Sequence, residues 1–427
     1  MHLTSLEEKM LNGEKGRTLE IAMGILVALG DIFDADSLIP IQSTQIAGVS
    51  YKTIGDAGLE WISDMEGEVV VPSILNPAGM DLQCPELMGI GSDSKFATKQ
   101  REIVSAYEKL GIRTECTCTP YYLPETIANI ANYGDHLAWS ESSAISYANS
   151  VIGARTNREG GPSALAAALV GKTPNYGYHL DENRAPTMVV KVEGKVSDTD
   201  FGALGHIVGK KVGSGIPLFI FERSHGMVDA NAHTDTAPIR DGLKALGAAM
   251  AASGAVALYY VQDVTPDSHK YDSEMPSDNI TVTLDDMHAV RRVANIINND
   301  GVIEEIDDAD ADAIDIVAIG CPHCSVDELL RLARLLSGKS VVMTTWIFTS
   351  RKIYNTHPEL VSAIESSGAK VICDTCMVVS PGSSGFKRML VNSGKAYNYV
   401  PSMCKIAASY ASMEDCVKVA VGEKLNG

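Results

Sequence analysis

The chain has 427 residues, 45% of them hydrophobic, and a formal net charge of -19; this is enough apolar material for two or three α/β lobes around separate cores and gives no case for disorder. The negative field repels polyanions, which argues against a nucleic-acid surface or an anionic membrane as partner, although a local basic pocket can still bind one small anion. Nine cysteines, an odd number spread over a long chain, do not resemble a secreted disulfide framework. The N-terminus MHLTSLEEKMLNGEKGR lacks the apolar core of a signal peptide, so the expected compartment is the cytoplasm.

In chain order, Gly48, Val49 and Ser50, and then Asn76 before Pro77, are loop positions whose backbone amides can approach a ligand closely. The alternative is plain turn chemistry. A helix ending near Gly111 leads into a strand from Ile112 to Thr117 and the cysteine island TECTCTPYY. WSESSA sets Glu141 among Ser140, Ser142 and Ser143 on a turn, although serine-rich turns are usually only caps. In GARTNREGGPSALAAAL, Arg155 and Arg158 precede a helix that begins with Pro162, and guanidinium groups beside a helix N-terminus form an anion site. Pairing of these arginines with acids such as Glu159 is an equal alternative.

The acidic run Asp181 to Pro186 precedes a strand from Met188 to Val192. SHGMVDANAHTD gathers His225, Asp229, His233 and Asp235 without strict ligand spacing, so a polar loop is favoured over a second metal site. The uncharged stretch Ala245 to Gln262 is rich in Ala and Gly, and Gly254 divides a helical half from a strand-like Ala255 to Val261, which marks a soluble core rather than a membrane span. After the acidic run Glu304 to Asp312 comes a βαβαβ pattern: strand Asp315 to Ile319, helix Val326 to Ser337 opened by Ser325 and Glu328 at capping-box spacing and stopped by Gly338, strand Val341 to Thr345, helix Pro358 to Ser366, and strand Lys370 to Cys373. The charge shifts divide the chain into lobes 1–185, 186–300 and 301–427.

Three cysteine islands, around Cys116 and Cys118, Cys321 and Cys324, and Cys373 and Cys376, all fall where buried strands end, the place where open parallel sheets bind ligands. The residues alone leave four readings. CPHC is a redox pair if it opens a helix, but a thioredoxin-like unit would not use the other islands. Structural zinc on two C-x-x-C pairs meets a separation, Cys324 to Cys373, much longer than that of a zinc ribbon. Burial as small hydrophobes suits Cys84, Cys404 and Cys416. The fourth is an iron–sulfur cluster with three protein thiolates and one open iron, a Lewis acid able to take a hydroxyl from a carboxylate substrate. His323 is read as a contact at the start of the helix that follows. Ser393 and Lys395 of NSGKAYNY supply a hydroxyl and a point charge suited to a carboxylate or phosphate, or simply a solvated surface.

The segments LTSLEEKMLNGEKG, GVSYKTIGDAGL, LNPAGMD, CTPYY, WSESSA, GARTNREGGPSALAAALVGKTP, GCPHCS, DTCMVVSP and NSGKAYNY resemble the aconitase X family over nearly the whole chain, 1–427. The resemblance implies an aconitase-like, multi-lobe α/β architecture with parallel or mixed sheets, lacking the small swivelling domain. It implies an iron–sulfur cluster, most simply 4Fe-4S, on Cys118, Cys321 and Cys376, with Cys116, Cys324 and Cys373 as neighbours. It implies substrate contacts from Gly48, Val49, Ser50, Asn76, Pro77, Glu141, Ser142, Arg155, Arg158 and Lys395. The activity implied is removal of water from (R)-5-phosphomevalonate, a small phosphorylated hydroxy acid, to give trans-anhydromevalonate 5-phosphate in the archaeal mevalonate route to isoprenoids; dehydration of cis-3-hydroxy-L-proline is the alternative. A redox protein or a non-catalytic cluster-binding subunit is the alternative of another class. A separate small swivelling subunit is expected to complete the site, so that the chain alone is an incomplete enzyme and the base is not identified within it. At Gln45 and Ala47 the chain departs from the family's His and Ser, which puts an acid–base role for that loop in doubt.

Overall fold

The computed structural model describes residues 1–123, 131–222, 237–298, 300, 302–307 and 314–424. The histidine-containing stretch His225 to Asp235 lies outside them. The architecture is mixed α/β, as expected. One sheet is wholly parallel, in the order Arg113–Cys116, Ser73–Leu75, Thr44–Ile46, Ala138–Trp139. A second parallel sheet orders Asn279–Val282, Met188–Val192, Pro217–Phe221 and Tyr260–Val261. The third has seven strands: Ile303–Asp307, Val293–Ile297, Ala407–Tyr410, Arg388–Val391, Ile316–Cys324, Thr344–Thr349 and Lys370–Cys373. Its last five are mutually parallel, and the first two run antiparallel to their neighbours. Leu38–Pro40 and Lys172–Pro174 form a separate antiparallel pair.

The local chemistry explains these elements. The helix Val326–Leu336 opens with the expected reciprocal capping box of Ser325 and Glu328 and buries Leu329, Leu332 and Leu336 against the seven-stranded sheet. The strand expected at Val341 begins only at Thr344, because the amides of Val341 and Val342 bond to Ser367 and Ala420 outside the ladder. Ala255 to Val261 forms a ladder only at Tyr260–Val261: Ala255 has φ 77°, the Ala257 carbonyl accepts from Asn149 and the Tyr259 amide bonds to Ser150. The helix Ala237–Ser253 ends before Gly254, and no helix among the described residues is long and apolar enough to cross a membrane.

Two reversals of strand order fix where a site can be. In the first sheet the chain steps outward from Thr44–Ile46 through Ser73–Leu75 to Arg113–Cys116, then returns to the other side of Thr44–Ile46 as Ala138–Trp139. In the third it steps from Ile316–Cys324 to Thr344–Thr349 and Lys370–Cys373, then returns to the other side of Ile316–Cys324 as Arg388–Val391. Each reversal opens a crevice at the carboxyl ends of the strands. Helix Ala237–Ser253, from the middle of the chain, packs on both Ser142–Tyr147 and Gly394–Tyr399, so it spans the seam between these sheets. Close approach is built in at Gly394, where an added Cβ would lie 2.4 Å from the carbonyl oxygen of Gly202.

Candidate active site

Every strand of the first sheet delivers a candidate residue just past its carboxyl end. After Thr44–Ile46 comes Gly48 (φ 79°), then Val49, whose carbonyl accepts from Gln100, and Ser50, which caps the helix Tyr51–Ser63 and donates to Val379 O. After Ser73–Leu75 comes Asn76, after Arg113–Cys116 comes Cys118, and after Ala138–Trp139 come Glu141 and Ser142. The third sheet does the same with Cys321, Cys376 and Lys395. Cys321 lies inside the observed strand rather than on a loop beyond it, because the strand resumes at Cys324 after a break in register that follows Ile319, with Gly320 at φ 102°.

The two carboxyl ends meet directly. The Ala78 amide donates to Asp374 O at 2.7 Å, and Ala78 and Thr375 form a parallel bridge. Arg351 binds both Asp81 Oδ1 (2.5 Å) and Asp374 Oδ2 (2.6 Å), and Asp81 Oδ2 accepts from the Cys373 amide at 2.9 Å. The segment after Asn76 is thereby stitched to the segment that carries Cys376. On the other side, Ser393 caps the helix Gly394–Tyr399 and donates to the carbonyl of Cys321, which sets Lys395 beside that cysteine.

Lys395, 5% exposed, bonds to Glu141 Oε1 and, at 3.1 Å, to Ser143 Oγ. Asn76 Nδ2 donates to Glu141 Oε2 at 2.7 Å, and the hydroxyls of Ser142 and Ser143 reach Oε1 at 3.3 and 3.4 Å. Burial alone would raise the Glu141 carboxyl, but the Lys395 charge and the bonds from Lys395 and Asn76 hold it below the usual range. Burial pushes the Cys118 thiol up to about 12 and raises Cys321 and Cys376, while the positive charge of Lys395 opposes the rise in all three. Cys118 and Cys376 each act on the titration of Cys321, so the three thiols share one local field.

His323, expected at the start of a helix, is instead fully buried. Nδ1 is 3.0 Å from Thr117 Oγ1, Nε2 is 2.8 Å from Thr375 O, and its amide donates to Cys118 Sγ at 3.2 Å. Burial first, then Lys395, lowers its pKa to about 4, so the ring is neutral. Gln45, also buried, donates to Thr117 O at 2.8 Å and accepts from the Glu141 amide at 3.4 Å. A neutral amide there works as a structural bridge. Neither role was visible in the sequence, because the partners are remote along the chain.

Arg155 belongs to a different network, donating to His179 O at 3.1 Å and to Asp181 Oδ1 at 2.5 Å. Arg158 is exposed, and the bonds of Glu159 go to Ser163 and Thr173 rather than to either arginine. Pro77 lies between Asn76 and the Ala78 bridge. Cys404 and Cys416 are buried as expected, but Cys84 is exposed, since it precedes a short turn, Pro85–Met88, and has its amide held by Asp81.

The chemistry of Cys118, Cys321 and Cys376, three buried free thiols, fits the thiolate ligation of an iron–sulfur cluster. Among the described residues no group of three His, Cys, Asp or Glu side chains is placed to hold a single metal ion. The surroundings also leave polar capacity unused: Asn76 Oδ1, Thr375 Oγ1 and Asn392 Oδ1 are buried without partners beside these residues.

The chain is similar to known proteins over nearly its whole length. Models described as aconitase X first domain, aconitase X second domain and aconitase X third domain match residues 1–182, 186–292 and 314–422. The phosphomevalonate dehydratase large subunit of Methanosarcina mazei is 55% identical over 99% of this chain and 98% of its own length. That of Methanothermobacter thermautotrophicus is 47% identical over 96% of each. The cis-3-hydroxy-L-proline dehydratase of Pseudomonas aeruginosa is 29% identical over 98% of this chain but 70% of its own length. The crystal structure of Thermococcus kodakaraensis aconitase X in its holo form superposes with a TM-score of 0.83 at 43% identity, covering 98% of this chain and all of that one (100%).

Proposed function

Because the chain belongs to the aconitase X family, we propose that it is the large subunit of a cytoplasmic hydro-lyase that removes water from (R)-5-phosphomevalonate, giving trans-anhydromevalonate 5-phosphate. Relatives bearing the name phosphomevalonate dehydratase large subunit support this choice at 35–55% identity, whereas the hydroxyproline dehydratases stand at 29%. The observation that carries the reading is the buried Lys395 ammonium, beside Glu141 and within the field of three buried thiols. Cys118, Cys321 and Cys376 would hold a 4Fe-4S cluster. The chemistry such a cluster supplies when bound is Lewis acidity at an iron that no cysteine occupies.

The chain's own residues bind and orient. Lys395 offers a desolvated positive charge to an anionic end of the substrate, and Glu141 balances that charge. Asn76 and the serines after Glu141 fix the carboxylate's direction, so the pair is set before substrate arrives. Glu141 is a poor base while Lys395 and Asn76 hold its proton affinity down. The group that takes the C2 proton is therefore assigned to a small subunit, as the name large subunit borne by the relatives suggests. Gly48 to Ser50, on the loop after Thr44–Ile46, are assigned to backbone contacts with the substrate, whereas Arg155, bonded to Asp181, is left out of the site.

The test is to reconstitute the chain with its small subunit and follow consumption of (R)-5-phosphomevalonate and of cis-3-hydroxy-L-proline. Water loss from the phosphorylated compound is expected. Consumption of the hydroxyproline alone would refute the assignment.

A further inference from the structure

His323 engages both ring nitrogens and its amide, in full burial, at the point where the two sheet ends meet. The carbonyl of Thr375 can only accept, so Nε2 carries the ring proton and Nδ1 accepts from the Thr117 hydroxyl. The third bond runs from the His323 amide to Cys118 Sγ. These partners are not generic core residues. Thr117 immediately precedes Cys118, Thr375 immediately precedes Cys376, and His323 itself stands two positions after Cys321. Gln45 extends the line by holding the Thr117 carbonyl and accepting from the Glu141 amide. One buried ring thus joins three segments that are far apart in the chain, with no donor left over.

We propose that His323 is a positioning residue that holds the Cys118 and Cys376 segments in register with its own Cys321 before a cluster is present, and whose amide supplies the hydrogen bond to the Cys118 sulfur. This rests on the reading of those three cysteines as cluster ligands. Groups bonded to ligand-bearing segments orient the ligands, and hydrogen bonds to a ligand sulfur tune the cluster it holds. A glutamine at 323 can reproduce the pattern, since its amide oxygen accepts and its nitrogen donates. A leucine keeps the volume and can do neither.

The experiment has two readouts. In the cluster-free chain, alkylation of individual cysteines is timed by mass spectrometry for wild type, His323→Gln and His323→Leu. Cys118 and Cys376 are expected to react roughly tenfold faster or more in His323→Leu, from local opening where two buried hydrogen bonds are lost. They should keep close to the wild-type rate in His323→Gln, and Cys416, buried in the helix Met413–Ala420, should be unchanged in all three. After anaerobic reconstitution, His323→Leu is expected to retain iron about 10- to 100-fold less tightly, with an altered visible circular dichroism spectrum, and His323→Gln to be restored toward wild type. Wild-type labelling rates at Cys118 and Cys376 in His323→Leu, or a parallel acceleration at Cys416, would overturn the proposal. Should His323→Leu fail to fold, Thr117→Val takes its place: it removes the partner of Nδ1, together with the bond from the Thr119 amide, and Cys118 is expected to react faster, with Cys416 unchanged. A wild-type chain that takes up no cluster would sink the ligand reading, and the labelling rates would still decide the tie.

Discussion

Lys395 and Glu141, 254 positions apart in the sequence, form an ion pair across the junction of the first and third sheets, with the lysine buried. Removing one partner of such a pair leaves the other charge uncompensated. Lys395→Ala in the reconstituted complex is expected to weaken substrate binding by roughly 30-fold to several thousand-fold, about 2–5 kcal/mol. Cys324→Ser should cost much less. Calorimetric or kinetic determination of substrate affinity for both variants checks this, and equal losses would argue against an anion-binding role for Lys395.

A second buried cation has a structural task. Lys244, 3% exposed, binds Asp241 Oδ1 at 3.2 Å and Glu328, and sits 5.2 Å from the ring centroid of Tyr122. Asp241 in turn accepts from Tyr122 and Ser325, so the cluster ties helix Ala237–Ser253 to the capped start of Val326–Leu336. Lys244→Met would leave two half-buried carboxylates close together without their shared cation. A loss of about 3–5 kcal/mol is expected, seen as a lower thermal midpoint; an unchanged midpoint would contradict it.

Acid should destabilise the fold through a histidine pair. His136 and His179 face each other with Nδ1 atoms 2.9 Å apart, and burial lowers both, His179 to about 3. The unfolded imidazole takes a proton near its ordinary value of about 6.5 and the folded His179 does not, so the unfolded state binds more protons as pH falls. Stability is therefore unaffected above about pH 6.5 and declines below it, by up to about 1.4 kcal/mol per pH unit for His179, until its folded value is reached. Thermal midpoints between pH 7.5 and 5 should fall more steeply in wild type than in His179→Gln.

The strand-end rule made much of this legible in the sequence. Cys118, Cys321 and Cys376 read from the sequence as residues at the ends of strands, where parallel sheets collect function, while Glu141 and Asn76 read only as turn and loop positions and also follow strands in the fold. What could not be read was pairing over distance. His323 reaches Thr117 across 206 positions, and Lys244 reaches Glu328 across 84, and neither spacing has any local signature. Arg155 and Arg158 show the converse: a motif that looks like an anion site from its neighbours turns out to hold Arg155 in a bond to Asp181 that only the folded chain brings near. The late start at Thr344 has the same origin, since the amides of Val341 and Val342 are taken by partners the sequence does not reveal.

The assignment of the base to another subunit has its own consequence. The purified, cluster-loaded chain should turn over (R)-5-phosphomevalonate very slowly, because a site closed by two subunits lacks both the base and the exclusion of water until they associate. Adding the small subunit should restore activity. Full turnover by the chain alone would place the base within it.

Iron content is the most direct measurement. Six chains, each with one cysteine replaced by serine at 116, 118, 321, 324, 373 or 376, are reconstituted anaerobically, and iron, sulfide and visible absorbance are determined per chain. Cys118→Ser, Cys321→Ser and Cys376→Ser should each lose the cluster, because each removes one of the three buried thiols proposed as its ligands, while Cys116→Ser, Cys324→Ser and Cys373→Ser should keep it. A cluster retained without Cys118, Cys321 or Cys376, or lost with Cys324 alone, would contradict the assignment and return the CPHC pair as the working centre.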